Sequence, residues 1–142
     1  MSEPRTPSAL RRRVEERARG RCEYCLTPRA FSASGFCLEH IRPLKEDGPT
    51  SLENLALACA GCNGHKADKT QANDPATGRG CRLFHPRRDT WRRHFAWSSD
   101  GLALEGLTAV GRATIAALHL NRTPLLNLRR ILALDGRHPP ES

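Results

Sequence analysis

Aromatic residues are scarce in this sequence. Four phenylalanines, two tryptophans and a single tyrosine make up 5% of its 142 residues. With so few rings, the interior is expected to lean on Leu, Ala, Val and Ile. A domain of this kind often needs a staple such as a bound metal. Long apolar runs are also lacking, and nothing reaches the length needed to cross a bilayer. The opening residues, MSEPRTPSALRRR, are polar and basic and contain no apolar leader segment. The expectation is a cytoplasmic protein with no membrane association. Acid is outnumbered: 15 Asp and Glu face 23 Lys and Arg, for a formal net charge of +8. This balance raises the odds of a polyanionic partner. There is no internal repeat beyond two cysteine pairs.

What is present describes a modest globular protein, 38% hydrophobic and 27% charged. The pattern divides into three parts. Residues 1–19 read as a tail and a basic helix over 8–18, with Leu10 and Val14 as a thin apolar stripe. Residues 20–70 hold short strands at 36–41 and 55–58, then a helix from the second cysteine pair through Lys66 to about Lys69. Residues 71–142 form an extension expected to pack on that core. It begins with a polar connection over 71–80. A basic segment with interleaved aromatics follows over 81–97, then a brief strand at 102–104. Helices are expected over 108–120 and 124–134. Gly111 weakens the start of the first, and Pro124 opens the second. In the second helix Leu125, Leu128, Ile131 and Leu132 line one face, with Arg129 and Arg130 leaning outward. The class is small α+β.

Four of the six cysteines form two CxxC knuckles, Cys22/Cys25 and Cys59/Cys62. In a reducing compartment these read as metal ligands before disulfides. Each knuckle can point two thiolates at one ion, and two complete a tetrahedral zinc site. A redox-active CxxC belongs to a thioredoxin-like βαβ unit, which surrounds neither pair. Four thiolates leave no open position for water, so the zinc is structural. Without it, residues 20–70 are expected to be largely unfolded. Cys37 and Cys81 read as free thiols.

Between the knuckles stand Glu39 and His40, and Asn63 follows the second knuckle directly. If the strand and the helix pack together, Glu39 and Asn63 can share one ion while His40 faces the same space. Carboxylate and amide oxygens are hard ligands suited to Mg²⁺ or Mn²⁺. A neutral histidine nearby can take the proton of an attacking water. These residues suggest metal-assisted phosphodiester hydrolysis. His65 lies two residues from Asn63 on the helix and points away from it.

The segments RCEYC, FCLEHIRP and ENLALACAGCNGHKAD resemble the HNH endonuclease family, in its zinc-knuckled McrA-like branch. The resemblance covers roughly residues 20–70. It implies a ββα-metal (His-Me finger) core stapled by a four-cysteine zinc site, with flanking helices. It implies that Glu39 is the acidic metal ligand, His40 the general base and Asn63 the ligand on the helix. Asn54 matches the middle asparagine, which holds the loop and orients the histidine, and Lys66 is implied to contact phosphate. The zinc ligands carry over as Cys22, Cys25, Cys59 and Cys62. Many family members have histidine where this chain has Asn63, and asparagine favours Mg²⁺ over Zn²⁺ there.

The partner expected is DNA, double-stranded, with a dimer an open possibility. Arg11, Arg12, Arg13 and Arg17 load the first helix, and Arg87, Arg88, Arg92 and Arg93 load the segment around Trp91. These arginines would neutralise phosphates and make binding salt-dependent. Trp91, Phe95 and Trp97 are expected in the core rather than stacked on bases. Two alternatives stand beside a DNA endonuclease. One is a zinc-stabilised nucleic-acid-binding module without catalysis, which has no need of the full Glu-His-Asn-Asn set. The other is an HNH-type nuclease acting on RNA.

Overall fold

A computed structural model describes residues 7–140. The chain divides into two compact units, Met1–Asp68 and Lys69–Ser142. Among the described residues no helix is long and apolar enough to cross a membrane.

The first unit opens with α1, Ser8–Arg17. Its one fully buried side chain is Val14, and it packs on the strand β2, Leu55–Cys59. Arg17, expected among the phosphate-facing arginines, is exposed but spends its guanidinium on the chain itself. Its guanidinium donates to the carbonyls of Leu52 (2.7 Å) and Leu55 (2.6 Å) and ties the helix to the entrance of β2. The strand β1, Phe36–His40, runs antiparallel to β2, with Phe36 opposite Cys59 and His40 opposite Leu55. The helix α2, Ala60–Lys66, follows β2 without a break and packs on both strands. It stops earlier than the sequence suggested. Ala67 takes a left-handed φ of 49°, which ends the helical path before Lys69.

All five residues of β2 are buried, although β1 borders only one of its edges. The other edge is occupied by the first cysteine knuckle. Glu23 donates its backbone N–H to the Leu57 carbonyl, and its carboxylate accepts the Leu57 N–H, both at 2.8 Å. This explains why 55-LALAC-59 shows no polar alternation: no face of it meets water.

The second unit differs more from expectation. The polar stretch 71–80 is not a plain connection. It is most of a hairpin between β3, Gln71–Asn73, and β4, Gly80–Arg82. Asp74 shapes the turn by accepting from Ala76 N–H and the Thr77 hydroxyl, and it receives a two-pronged contact from Arg112, both prongs 2.9 Å. A one-turn helix, α3, Trp91–His94, leads into β5, Phe95–Trp97, which pairs with β6, Leu104–Gly106. Phe84, Trp91, Phe95 and Trp97 pack ring on ring at 5.1–5.7 Å between centroids; Phe84 and Phe95 are buried in the core, whereas Trp91 and Trp97 are half-buried at its edge.

The helix α4, Ala109–Leu118, is capped by the Thr108 hydroxyl, which accepts from Gly111 N–H. Gly111 is there for space, since a Cβ would stand 2.1 Å from the His94 carbonyl oxygen. The helix α5, Thr123–Leu134, buries Leu125 and Leu132 but leaves Ile131 63% exposed. Arg129 corrects the expected face. It is 3% exposed, donates to the Leu102 and Leu120 carbonyls and lies over the Trp97 ring. An arginine can occupy such a place because its planar head satisfies several acceptors at once.

Candidate active site and zinc centre

The two knuckles meet as the spacing requires. The Sγ atoms of Cys22, Cys25, Cys59 and Cys62 lie within 4.8 Å of one another, and all four residues are buried. Zinc–thiolate bonds of about 2.3 Å in a tetrahedron place sulfurs about 3.8 Å apart. The Cys25–Cys59 separation is 3.7 Å. Burial pushes the Cys22 thiol well above its ordinary range. Four sulfurs gathered this closely in a buried pocket can all be thiolates only around a cation, and the all-sulfur donor set suits Zn²⁺. Local structure prepares each pair: Cys25 N–H points at the Cys22 sulfur and Cys62 N–H at the Cys59 sulfur, both at 3.5 Å.

Beside β1 and α2 lies a cavity of about 310 Å³, whose lining includes Glu39, His40, Lys45, Asn63 and Asp68. Three of the four expected catalytic residues thus share one space. His40 is the last residue of β1 and is half-buried, and its Nε2 lies 2.9 Å from the Thr50 hydroxyl. Sequence reasoning missed Thr50, because nothing in the loop 41–54 signals which residue folds back on the strand.

Asn54 does not line this cavity. It is 7% exposed and braces the loop. Its Oδ1 accepts Arg42 N–H (2.9 Å), and its Nδ2 donates to the carbonyls of Arg42 (3.0 Å) and Pro49 (2.9 Å). Its own carbonyl accepts Ile41 N–H, so one residue joins the exit of β1 to the entrance of β2. The loop closes tightly enough that a Cβ on Gly48 would stand 1.8 Å from the Arg42 carbonyl oxygen. Only glycine fits there.

Glu39 is buried, 3% exposed, and held from two sides. Tyr24, the only tyrosine, donates its hydroxyl to Oε2 at 2.6 Å. The Lys66 ammonium forms an ion pair with Oε1 and donates to the Ile41 carbonyl at 3.3 Å. Burial pushes the Glu39 carboxyl above its usual range, against the opposing pull of Lys66 and Tyr24. Lys66 is therefore not the surface cation expected to meet phosphate. It is 1% exposed, and its charge is committed to Glu39. The exposed cation at the cavity is Lys45, ion-paired with Asp68. Its position in the run LKED marks it only as a loop lysine. His65 is exposed and is not among the cavity residues, as the helical spacing required.

In the second unit Arg88, Arg92 and Arg93 are exposed, and Arg87 is half-buried. His94 is buried, with Nδ1 2.6 Å from the Thr108 hydroxyl and Nε2 3.7 Å from Asp89. Since Thr108 is spent on capping α4, this cluster serves packing.

Residues 22–69 match the HNH endonuclease family. The matched segment contains both knuckles, β1, β2 and α2, and covers roughly a third of the chain. The protein thus carries an HNH endonuclease domain with a four-cysteine metal-binding cluster and a ββα-like core beside it. No curated protein and no solved structure matches the chain.

Proposed function

We propose that this protein is a metal-dependent DNA endonuclease of the zinc-knuckled, McrA-like branch, with His40 as the general base. One observation carries the reading. Glu39, His40 and Asn63 line a single cavity inside the segment that matches the HNH family. Their donor set is a carboxylate and an amide oxygen, which fits a hard cation such as Mg²⁺ or Mn²⁺. Bound by Glu39 and Asn63, such an ion would offset charge building on the scissile phosphate.

The chain's own residues supply the rest. His40 accepts the proton of the attacking water, and the Thr50 hydroxyl at 2.9 Å fixes its ring. Asn54 keeps the loop bearing Thr50 closed, which makes it a positioning residue. Lys45 at the cavity rim exchanges Asp68 for a phosphate oxygen on binding. Arg88, Arg92 and Arg93, with Arg87 beside them, hold the duplex backbone without reading bases.

The test is nicking of supercoiled plasmid in Mg²⁺ or Mn²⁺, wild type beside His40→Ala, with a structured RNA of similar length in parallel. Cleavage of the plasmid, reduced about 10²–10⁴-fold by His40→Ala, is expected. Plasmid binding without cleavage would make the protein a zinc-stabilised binding module. Cleavage of RNA alone would move the substrate class.

A further inference from the structure

Tyr24 sits between Cys22 and Cys25, inside the first zinc knuckle. It is fully buried, and a buried phenol hydroxyl requires an acceptor. The acceptor here is not a backbone carbonyl but the Glu39 carboxylate, at 2.6 Å. The knuckle cannot drift relative to Glu39. Glu23, next to Tyr24, is bonded twice to Leu57, and the neighbouring Ala56 is the strand partner of Glu39. The four sulfurs, the phenol and the carboxylate therefore form one connected path from the zinc centre to the cavity.

We propose that Tyr24 is a positioning residue that fixes the carboxylate of Glu39 from within the zinc knuckle, so that the structural zinc also sets the geometry of the divalent-ion site. This rests on Glu39 being a ligand of that ion. A carboxylate with free rotation about its χ angles must be ordered when an ion binds. One held by the phenol on one side and by Lys66 on the other is ordered beforehand. Partners of this kind behind a ligand typically govern metal affinity by about 10–100-fold.

The experiment measures Mn²⁺ binding to zinc-loaded protein by the paramagnetic resonance signal of free Mn²⁺, with no DNA present. Tyr24→Phe removes one oxygen and keeps the ring. It is expected to retain zinc and the wild-type circular dichroism while binding Mn²⁺ about 10–100-fold more weakly. Glu39→Gln should weaken binding as well, and adding Tyr24→Phe to it should cost nothing more. Wild-type affinity in Tyr24→Phe, with Glu39→Gln impaired, would overturn the positioning role alone. Wild-type affinity in Glu39→Gln, or no binding by the wild type, would overturn the ligand reading and the proposal with it.

Should Tyr24→Phe fail to hold zinc, the wild type decides. Because Tyr24 is the only tyrosine, its ring Cζ carbon gives one unambiguous NMR signal. Mg²⁺ that displaces bound Mn²⁺ should move this signal in the wild type and not in Glu39→Gln. A signal unmoved by bound Mg²⁺ would refute the proposal.

Discussion

Replacing Lys66 with methionine separates two accounts of that residue. If Lys66 contacts phosphate from the surface, Lys66→Met weakens DNA binding and leaves stability nearly unchanged. The structure demands the reverse. Both partners of the Lys66–Glu39 pair have side chains only 2% exposed. Removing one partner of a buried pair strands the other, at a cost of about 3–5 kcal/mol. Methionine fills much of the lysine stem's volume, so the loss reports charge rather than a cavity. The expected destabilisation at neutral pH is therefore several kcal/mol, a large share of a small domain's margin.

The pH dependence adds a second check. Glu39 already titrates above its ordinary value, chiefly because it is buried. Lys66 is one of the groups pulling it down, so removing it raises the folded-state value further. A carboxyl raised in the folded state favours folding below its unfolded value, and that contribution is lost as the pH rises through the folded value. The penalty of Lys66→Met should hence be largest at neutral and higher pH and shrink on acidification, as Glu39 takes up a proton. Glu39→Gln combined with Lys66→Met should recover much of the loss. The assay is denaturant unfolding of zinc-loaded protein, followed at the backbone amides of β1 and β2. Those probes are needed because both tryptophans lie in the other unit. A loss below about 1 kcal/mol, the scale of an exposed pair, or one that does not change with pH, would refute the buried pair.

Purified protein should hold a single tight zinc, and Cys59→Ser should lose both the metal and cooperative folding of residues 22–66. Metal analysis of folded protein checks this, since such sites supply about 10–16 kcal/mol. Neutralising Arg92 and Arg93 to glutamine should flatten the dependence of log K on log salt by about 0.9 per lost phosphate contact, and an unchanged slope would place them off the DNA. Hydrogen bonds from Arg112 hold the Asp74 carboxyl below its usual range. Its contribution is present at neutral pH and fades as the pH falls below the ordinary value of about 4. Thermal unfolding read by tryptophan fluorescence should show that acid loss in the wild type and not in Asp74→Asn.

The elements legible in the sequence are those whose signals are local. The basic helix, both core strands, α2 and the two C-terminal helices stand where period and punctuation placed them, within a few residues. The hairpin of β3 and β4 was illegible because its strands are three residues long and mostly exposed, so 71-QAN-73 carries no alternation to read. What holds it is Asp74 reaching Arg112, 38 positions away, and no window spans that distance. The face of α5 failed for a different reason. Arginine at 129 reads as polar by type, yet the carbonyls at the ends of nearby segments needed a donor, and a hydrophobic residue could not have supplied one.

At the site, the metal-binding cysteines were fully legible, because a CxxC constrains its own geometry. Three of the four catalytic candidates border one cavity, but their contacts were not legible. Strand alternation turns the side chains of Glu39 and His40 apart, so although both residues border the cavity they have unlike surroundings. His40 turns to a loop hydroxyl at Thr50, and Glu39 turns to a buried phenol and a buried ammonium. The resemblance implies a metal ligand at Glu39 and a base at His40, and the structure gives the two unlike surroundings, a sealed charge network for the first and a half-buried place against a loop for the second. A carboxylate sealed in this way can serve a cation in the cavity only if its neighbours keep it ionised and aimed. Under the proposed function, Tyr24 and Lys66, neither of which looks catalytic in the sequence, are therefore the residues on which Glu39 would depend as a ligand.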